Sequence, residues 1–505
     1  MITFPDNPGY LTLAGNILIM KRMILAGISL FAYLAAPAQE PAHPLLPATW
    51  GIKSEELVGV VKELADPKYE GRLTGSPGFT RAAEYLAGQF AALGLQKPYP
   101  ESGYFQNFTI PYTVVLPGCS LVIQDGGSTV SYHYYDEFMP GSTSGTGDLT
   151  ADVVFAGYGI SAPELGFDDY AGLDVKGKIV LIRPESPVSP AVGEDKFGPW
   201  LAYSLHQYKM QNAVNHGVAG VLYHYGPLAN TNNDYHPDLL LTMVGNRVVE
   251  DLFRGTGKDY AAIVAGIGAG LKPSSFPLGK KATLRNKTEY HPRGVGMNVI
   301  GVLPGSDPVL KNEVILIGGH LDHCGMCWEV CPGANDNASG IAVVVGVARA
   351  LVQSGFTFKR TLVFIGIGGE ESGLVGITKY VNDPLFPFDR TVGFINLDCV
   401  GIGPNLFAGG GQSFPALFSP IEAANRNFIH RVLGSSVAGG AGRPRSDAAV
   451  MTKAGIPSVS FSSYGGSGAY HTPGDTPETI WPETLEDLAS MLTLALADLA
   501  GIIQK

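Results

Sequence analysis

Two histidines and a series of acidic residues in the C-terminal half of the chain could hold metal ions: His320, Asp322, Asp336, Glu370, Glu371, Asp398 and His471. Imidazole with carboxylate suits zinc or a similar divalent ion. His320 with Asp398 can hold one ion and His471 with Glu371 a second, with Asp336 bridging them. Each ion then has three protein ligands and room for a shared water. Two ions about 3.5–4 Å apart can clamp a hydroxide and polarise a carbonyl. Glu370, beside a ligand and not needed as one, is the natural general base. Each residue alone has a plainer use: Asp336-Asn337 could cap a helix, and Glu370-Glu371 could open a solvated one. The conjunction, in order and at strand ends, favours the metal reading. The chain has no H-E-x-x-H, G-x-S-x-G or P-loop pattern.

These side chains need elements to position them. Val314–Gly318, Leu362–Ile367, Val392–Leu397 and Ser458–Ser460 read as buried strands, and the acids and histidines fall at or beyond their C-terminal ends. That edge is where open α/β sheets bind ligands. Helices are expected from Asn337 through Ser354, from about Gly373 to Asn382, and from Pro482 to about Ile503. Alternating strands and helices predict an α/β fold with a mainly parallel or mixed sheet sandwiched by helices. Two earlier amphipathic helices are expected around Leu57–Leu64 and Thr80–Leu93. They flank the glycine-rich turn Gly71-Arg72-Leu73-Thr74-Gly75-Ser76-Pro77-Gly78. Residues 115–285 change to short β-type runs, such as Ser120–Ile123, Val153–Phe155 and Ile179–Ile182. No catalytic constellation is visible there. Its histidines, His206, His216, His224 and His236, lack consistent metal spacing.

Composition narrows the function classes. The 505 residues include 66 glycines, nearly twice the ordinary ~7%, without a Gly-X-Y period. A net charge of −11 with no Lys/Arg cluster argues against nucleic acid or anionic membrane as a partner. Met20-Lys21-Arg22, the apolar run Met23–Ala35 and Ala36-Pro37-Ala38 have the anatomy of a secretory signal peptide, with Gln39 as the first mature residue. An apolar run of about 13 residues is short of the ~20 needed to span a bilayer. The product is therefore expected to be exported, periplasmic or extracellular, without a stable membrane anchor. Five cysteines remain: Cys119, Cys324, Cys327, Cys331 and Cys399. Cys324, Cys327 and Cys331 could bind an extra metal with Cys399, but export favours a disulfide between two of the three.

The runs His320-Leu321-Asp322, Gly333-Ala334-Asn335-Asp336-Asn337-Ala338-Ser339-Gly340, Gly369-Glu370-Glu371-Ser372-Gly373, Asn396-Leu397-Asp398 and Tyr470-His471-Thr472-Pro473-Gly474-Asp475 together resemble the M28 family of zinc exopeptidases over roughly residues 296–500. The resemblance implies a zinc exopeptidase-like fold and two Zn²⁺ per chain, held by His320, Asp336, Glu371, Asp398 and His471, with Glu370 as base. It also implies that Asp322 orients His320. Tyr470 occupies the position that in some members donates a hydrogen bond to the oxyanion; a packing aromatic is the alternative. In Arg445-Ser446-Asp447 this chain departs from the usual pattern, with Ala448-Ala449 following. Asp447 is then an outer residue or a substrate contact, and Arg445 or Arg443 could touch the substrate backbone or a carboxylate.

The runs Val153–Gly159, Asp168-Asp169-Tyr170 and Val175–Leu181 are similar to the protease-associated domain, a non-catalytic insertion. The expected organisation is an upstream extension and signal peptide (1–38), the first part of the peptidase domain (39–114), the inserted β-rich domain (115–285) and the second part of the peptidase domain (286–505). Peptides are the expected substrates, and an aminopeptidase is the expected activity. Three alternatives remain at this level: a carboxypeptidase or dipeptidase gripping a carboxylate through Arg443 or Arg445, a catalytically dead receptor-like module, and a single-zinc glutaminyl cyclase.

Overall fold

A computed structural model describes residues 42–232, 234–440, 444–466 and 468–503. The signal-peptide segment and Arg443 lie outside the described residues. The chain divides at Leu46 into two units, and both large sheets belong to the one that begins at Pro47.

The strands that carry the acids and histidines pair in parallel: Thr361–Ile367, Val314–His320, Thr391–Leu397 and Ser458–Tyr464, in that order across the sheet. Thr288–Leu303 pairs antiparallel at one side, and Asn405–Gly409 at the other, so the ten-stranded sheet is mixed around a parallel centre. All residues of Val314–His320 and Thr361–Ile367 are buried, as expected for strands covered on both faces. One face carries the helix Ser339–Gln353, packed against Ser54–Leu64 and Pro482–Ala500. On the other, Ile377, Tyr380, Ala448 and Met451 join Leu316, Val363 and Phe394 in a buried cluster.

The chain leaves this sheet at Val115 and re-enters it at Thr288. Between them lies an eight-stranded sheet built around Phe276–Asn286, Gly147–Phe155, Ile179–Ile182 and Gly220–Tyr223. It has an apolar core on each face. The second of those cores takes in Cys324, Cys327 and Cys331, which come from the first sheet's side of the molecule. The expected disulfide is not found, since all five cysteines are free thiols. A hairpin, Met326–Cys327 with Glu329–Val330, instead sets Cys327 and Cys331 in side-chain contact inside this apolar layer.

Candidate metal centre

His320 is the last residue of its strand, which runs two residues past the Gly318 end read from the sequence, and points at two acids from neighbouring elements. Its Nε2 lies 3.1 Å from Asp336 Oδ1 and 3.4 Å from Asp398 Oδ1. His471 Nε2 lies 3.2 Å from Asp336 Oδ2 and 2.9 Å from Glu371 Oε2. The five expected ligands thus meet in two sets, and Asp336 gives one oxygen to each.

The loops are fixed by hydrogen bonds that accept from or donate to backbone. Asp475 accepts from the Asn335 and Asp336 N–H groups, both at 2.9 Å. Asn337 Nδ2 donates to the Leu397 carbonyl at 2.8 Å, and the Gly401 N–H donates to Asn335 Oδ1 at 2.7 Å. The Asp336 turn is therefore tied to both the strand leading to Asp398 and the loop carrying His471. Gly333 enters this turn at φ 59°, and a Cβ there would come within 2.5 Å of the His323 ring. No other residue type combines that backbone with that approach.

Beneath the loops lies Arg72, fully buried. Its guanidinium donates to the carbonyls of Leu321 (2.9 Å), Leu64 (2.7 Å), Pro332 (2.6 Å) and Gly333 (2.8 Å). Burial pulls it down to about 10, partly opposed by Asp475 and Asp336, so it is charged at neutral pH. Thr74 of the same turn accepts from the Gly369 N–H at 2.7 Å. His323 donates from Nδ1 toward Glu371 Oε1 at 2.9 Å. A loop of the intervening region also takes part. His471 Nδ1 donates to the Ala229 carbonyl at 2.9 Å, and Thr231 Oγ1 donates to the Glu371 carbonyl at 2.7 Å. The Ala229 bond leaves His471 Nε2 free to face the acids, the arrangement that orients metal-bound imidazoles.

Sequence reasoning missed Arg72, His323, Ala229 and Thr231. His323 had a signal, a second imidazole in His320-Leu321-Asp322-His323. The others act through backbone groups or sit far away in sequence, where no spacing rule reaches. Of the remaining expected residues, Asp322 is fully buried. Its Oδ1 lies 3.8 Å from His320 Nδ1 and accepts from the Glu370 N–H at 3.2 Å. Asp447 is buried under the site and lines neither cavity there, which leaves no surface for a substrate contact. Arg445 is exposed at the mouth and paired with Glu185. Tyr470 is half-exposed and stacks on His471, ring centroids 3.8 Å apart.

Electrostatics show how far the protein alone balances this cluster. Burial, together with Glu371, Asp447 and Asp398, holds the Glu370 carboxyl well above the usual range. Burial pushes Asp447 up to about 8, with Asp398 and Asp322 adding to it. Burial also works to raise Glu371, but His471 and His323 hold it down to about 2. His471 Nε2, His323 Nε2, Asp322 Oδ2 and both Asp447 oxygens have no hydrogen-bond partner although buried. Orphaned buried nitrogens facing carboxylates are what a cation between them would satisfy. The nitrogen and oxygen donors therefore fit divalent metal, with His320, Asp336 and Asp398 one converging group and His471 with Glu371 in another. A pocket of about 280 Å³ opens over His320, Asp336 and Asp398. A cavity of about 910 Å³ adjoins it, walled by Glu370, Tyr470 and Arg445 on one side and by His206, Tyr225 and Asn230 from the helix and loops of the intervening region on the other.

Residues 298–496 match Peptidase family M28. A probable glutamate carboxypeptidase of Zea mays is 28% identical over 275 residues, covering 49% of this chain and 37% of that protein. The chain spans about a third to a half of the length of such curated relatives. An aminopeptidase from Aneurinibacillus sp. strain AM-1 superposes with TM-score 0.60 at 25% identity, over 90% of this chain and 95% of that one. A zinc aminopeptidase from Bacillus subtilis shares the fold, with TM-score 0.57 at 20% identity over 88% of this chain and 95% of that one.

Proposed function

On the premise that residues 298–496 belong to Peptidase family M28, we propose that the protein is an exported zinc metallopeptidase with two ions per chain, acting as an aminopeptidase. The observation that carries this reading is Asp336, whose two oxygens face His320 and His471 at 3.1 and 3.2 Å. A carboxylate shared between two imidazoles in this way suits a pair of cations. His320, Asp398 and Asp336 would hold one, and His471, Glu371 and Asp336 the other. Zinc bound there supplies Lewis acidity toward a carbonyl and brings a water's pKa down to about 7.

The chain's own residues do the rest. Glu370 clusters with His320 and Glu371 and borders both cavities. As base, it takes a proton from the attacking water and passes it to the leaving amine. Tyr470 borders the same space, and its hydroxyl, an ordinary phenol donor at neutral pH, can donate to the developing oxyanion. Asp322 holds the Glu370 backbone and the His320 loop in one arrangement. The acidic mouth, with Glu370 and Asp398, suits a substrate's N-terminal ammonium. The intervening sheet, read as a protease-associated domain, walls the larger cavity and restricts the size of what enters.

A carboxypeptidase is the second reading. Arg445 favours it, since that side chain borders both cavities and could grip a C-terminal carboxylate. Its pairing with Glu185 argues against a free grip. Hydrolysis of aminoacyl-nitroanilides against N-blocked peptides, before and after chelation and zinc return, separates the two. Cleavage confined to N-blocked peptides would overturn the aminopeptidase reading, and one zinc per chain would overturn the dinuclear one.

A further inference from the structure

Cys324 is fully buried, and nothing in the proposed reaction uses it. Its sulfur belongs to a group with donor atoms of His323, Glu371 and His471, all lying within 4.8 Å of one another. The thiol and the His471 imidazole are in side-chain contact. In that space His471 Nε2, which faces Glu371 Oε2 at 2.9 Å, is buried without a hydrogen-bond partner. The sulfur is also held in place. The His323 N–H donates to the Arg72 carbonyl at 3.2 Å, and the Gly325 N–H donates to the Gly71 carbonyl at 3.0 Å, so the residues on both sides of Cys324 are pinned to the Arg72 turn. Cys327 and Cys331 differ: they touch each other in the apolar layer and join no group of converging donors among the described residues.

We infer that Cys324 is a thiolate donor to the metal position formed by His471 and Glu371, which makes the two positions chemically unequal. This rests on the dinuclear reading above and deepens it. On binding, the sulfur–metal bond forms and the thiol proton leaves to solvent, with no change of oxidation state. His471, Glu371, Asp336 and Cys324 then make a four-donor set, the closed arrangement of structural zinc. His320, Asp398 and Asp336 make a three-donor set with an open position, and Glu370 clusters with His320 on that side. The cysteine-containing ion anchors the loops, and the other keeps the open position.

The test uses the purified full chain, stripped and reloaded with cobalt(II). A thiolate-to-cobalt charge-transfer band in the near ultraviolet is expected, lost in Cys324→Ser and kept in Cys327→Ser and Cys331→Ser. Cys324→Ser should also give up one metal equivalent at a chelator concentration at which the parent protein keeps both. A variant with Cys119, Cys327, Cys331 and Cys399 all changed to Ser reads the same band from Cys324 alone and does not depend on the Cys324 variant folding. Two bound cobalt ions without the band would overturn the inference and leave the dinuclear reading standing, as would a band that follows Cys399→Ser, or mass spectrometry finding Cys324 in a disulfide. Failure to bind cobalt at all would instead strike the dinuclear reading beneath it.

Discussion

Asp251 in the eight-stranded region and Asp336 at the edge of the ten-stranded sheet are both buried carboxylates, and they are neutralised in different ways. Asp251 Oδ2 accepts from the Tyr132 hydroxyl and Arg247 Nε, both at 2.9 Å, and Arg254 lies 2.5 Å from Oδ1. Its counter-ions come from its own helix and the turn after it. Asp336 faces imidazoles that are themselves buried, inside a cluster that also holds Glu371, Asp322, Asp447 and Asp475. Arg72 is the buried guanidinium there, and it spends its donors on carbonyls. Asp251 has its cations beside it, whereas the centre is arranged to receive them. A buried acid completed by the protein is a structural device; one left for an outside cation is a site.

The sharpest break in that comparison is Glu370→Gln. Turnover should fall about 10²–10⁴-fold with metal content unchanged; retained hydrolysis would remove Glu370 from the proton-transfer role. Chelation should abolish hydrolysis and destabilise the centre by about 4 kcal/mol where metal had stood a thousandfold above its Kd. Hydrogen exchange should then rise around residues 320–337 and 471–475 but not in Gly147–Phe155 or Phe276–Asn286. A uniform rise would erase the distinction between the regions. Replacing Arg72 by Met strands four carbonyls and should cost about 3 kcal/mol or more in denaturant unfolding, with weaker metal retention. Unchanged metal affinity in that variant would confine Arg72 to packing.

Asp251→Asn should cost less, about 1–3 kcal/mol, and leave metal content unaltered. Against its desolvation, Arg247 and Tyr132 hold the Asp251 carboxyl below the ordinary range. Its contribution is therefore present above the unfolded value near 3.9 and is lost as pH falls through the folded one. The stability gap between parent and variant should narrow below about pH 4, and a gap that widened there would refute the assignment.

Periodicity made the strands around Val314–Gly318, Leu362–Ile367 and Val392–Leu397 legible, because strands covered on both faces must be apolar throughout. The helix following Asp336 was visible for a related reason: twelve of the fifteen residues in Ser339–Gln353 are buried. The cysteine expectation failed on a matter of direction. Spacing and compartment allowed a disulfide, yet the hairpin turns Cys327 and Cys331 into the apolar layer and leaves Cys324 beside His471. The substrate-contact alternative for Asp447 fell away for the same reason, leaving the outer position, since chain position does not tell which side of a helix start faces a cavity.

Residue types and their order along the chain were enough to mark which imidazoles and carboxylates could bind metal, because ligand chemistry and strand ends are local properties. The pairing of His320 with Asp398 and of His471 with Glu371 about Asp336 was expected from the same chemistry; the folded molecule alone decided that Ala229 and Thr231 from a remote segment brace His471 and Glu371, and that Arg72 fastens the turns from below. These contacts join residues separated by up to 261 positions. Their geometry depends on how two sheets and their loops pack, and no pattern read along the chain carries that distance.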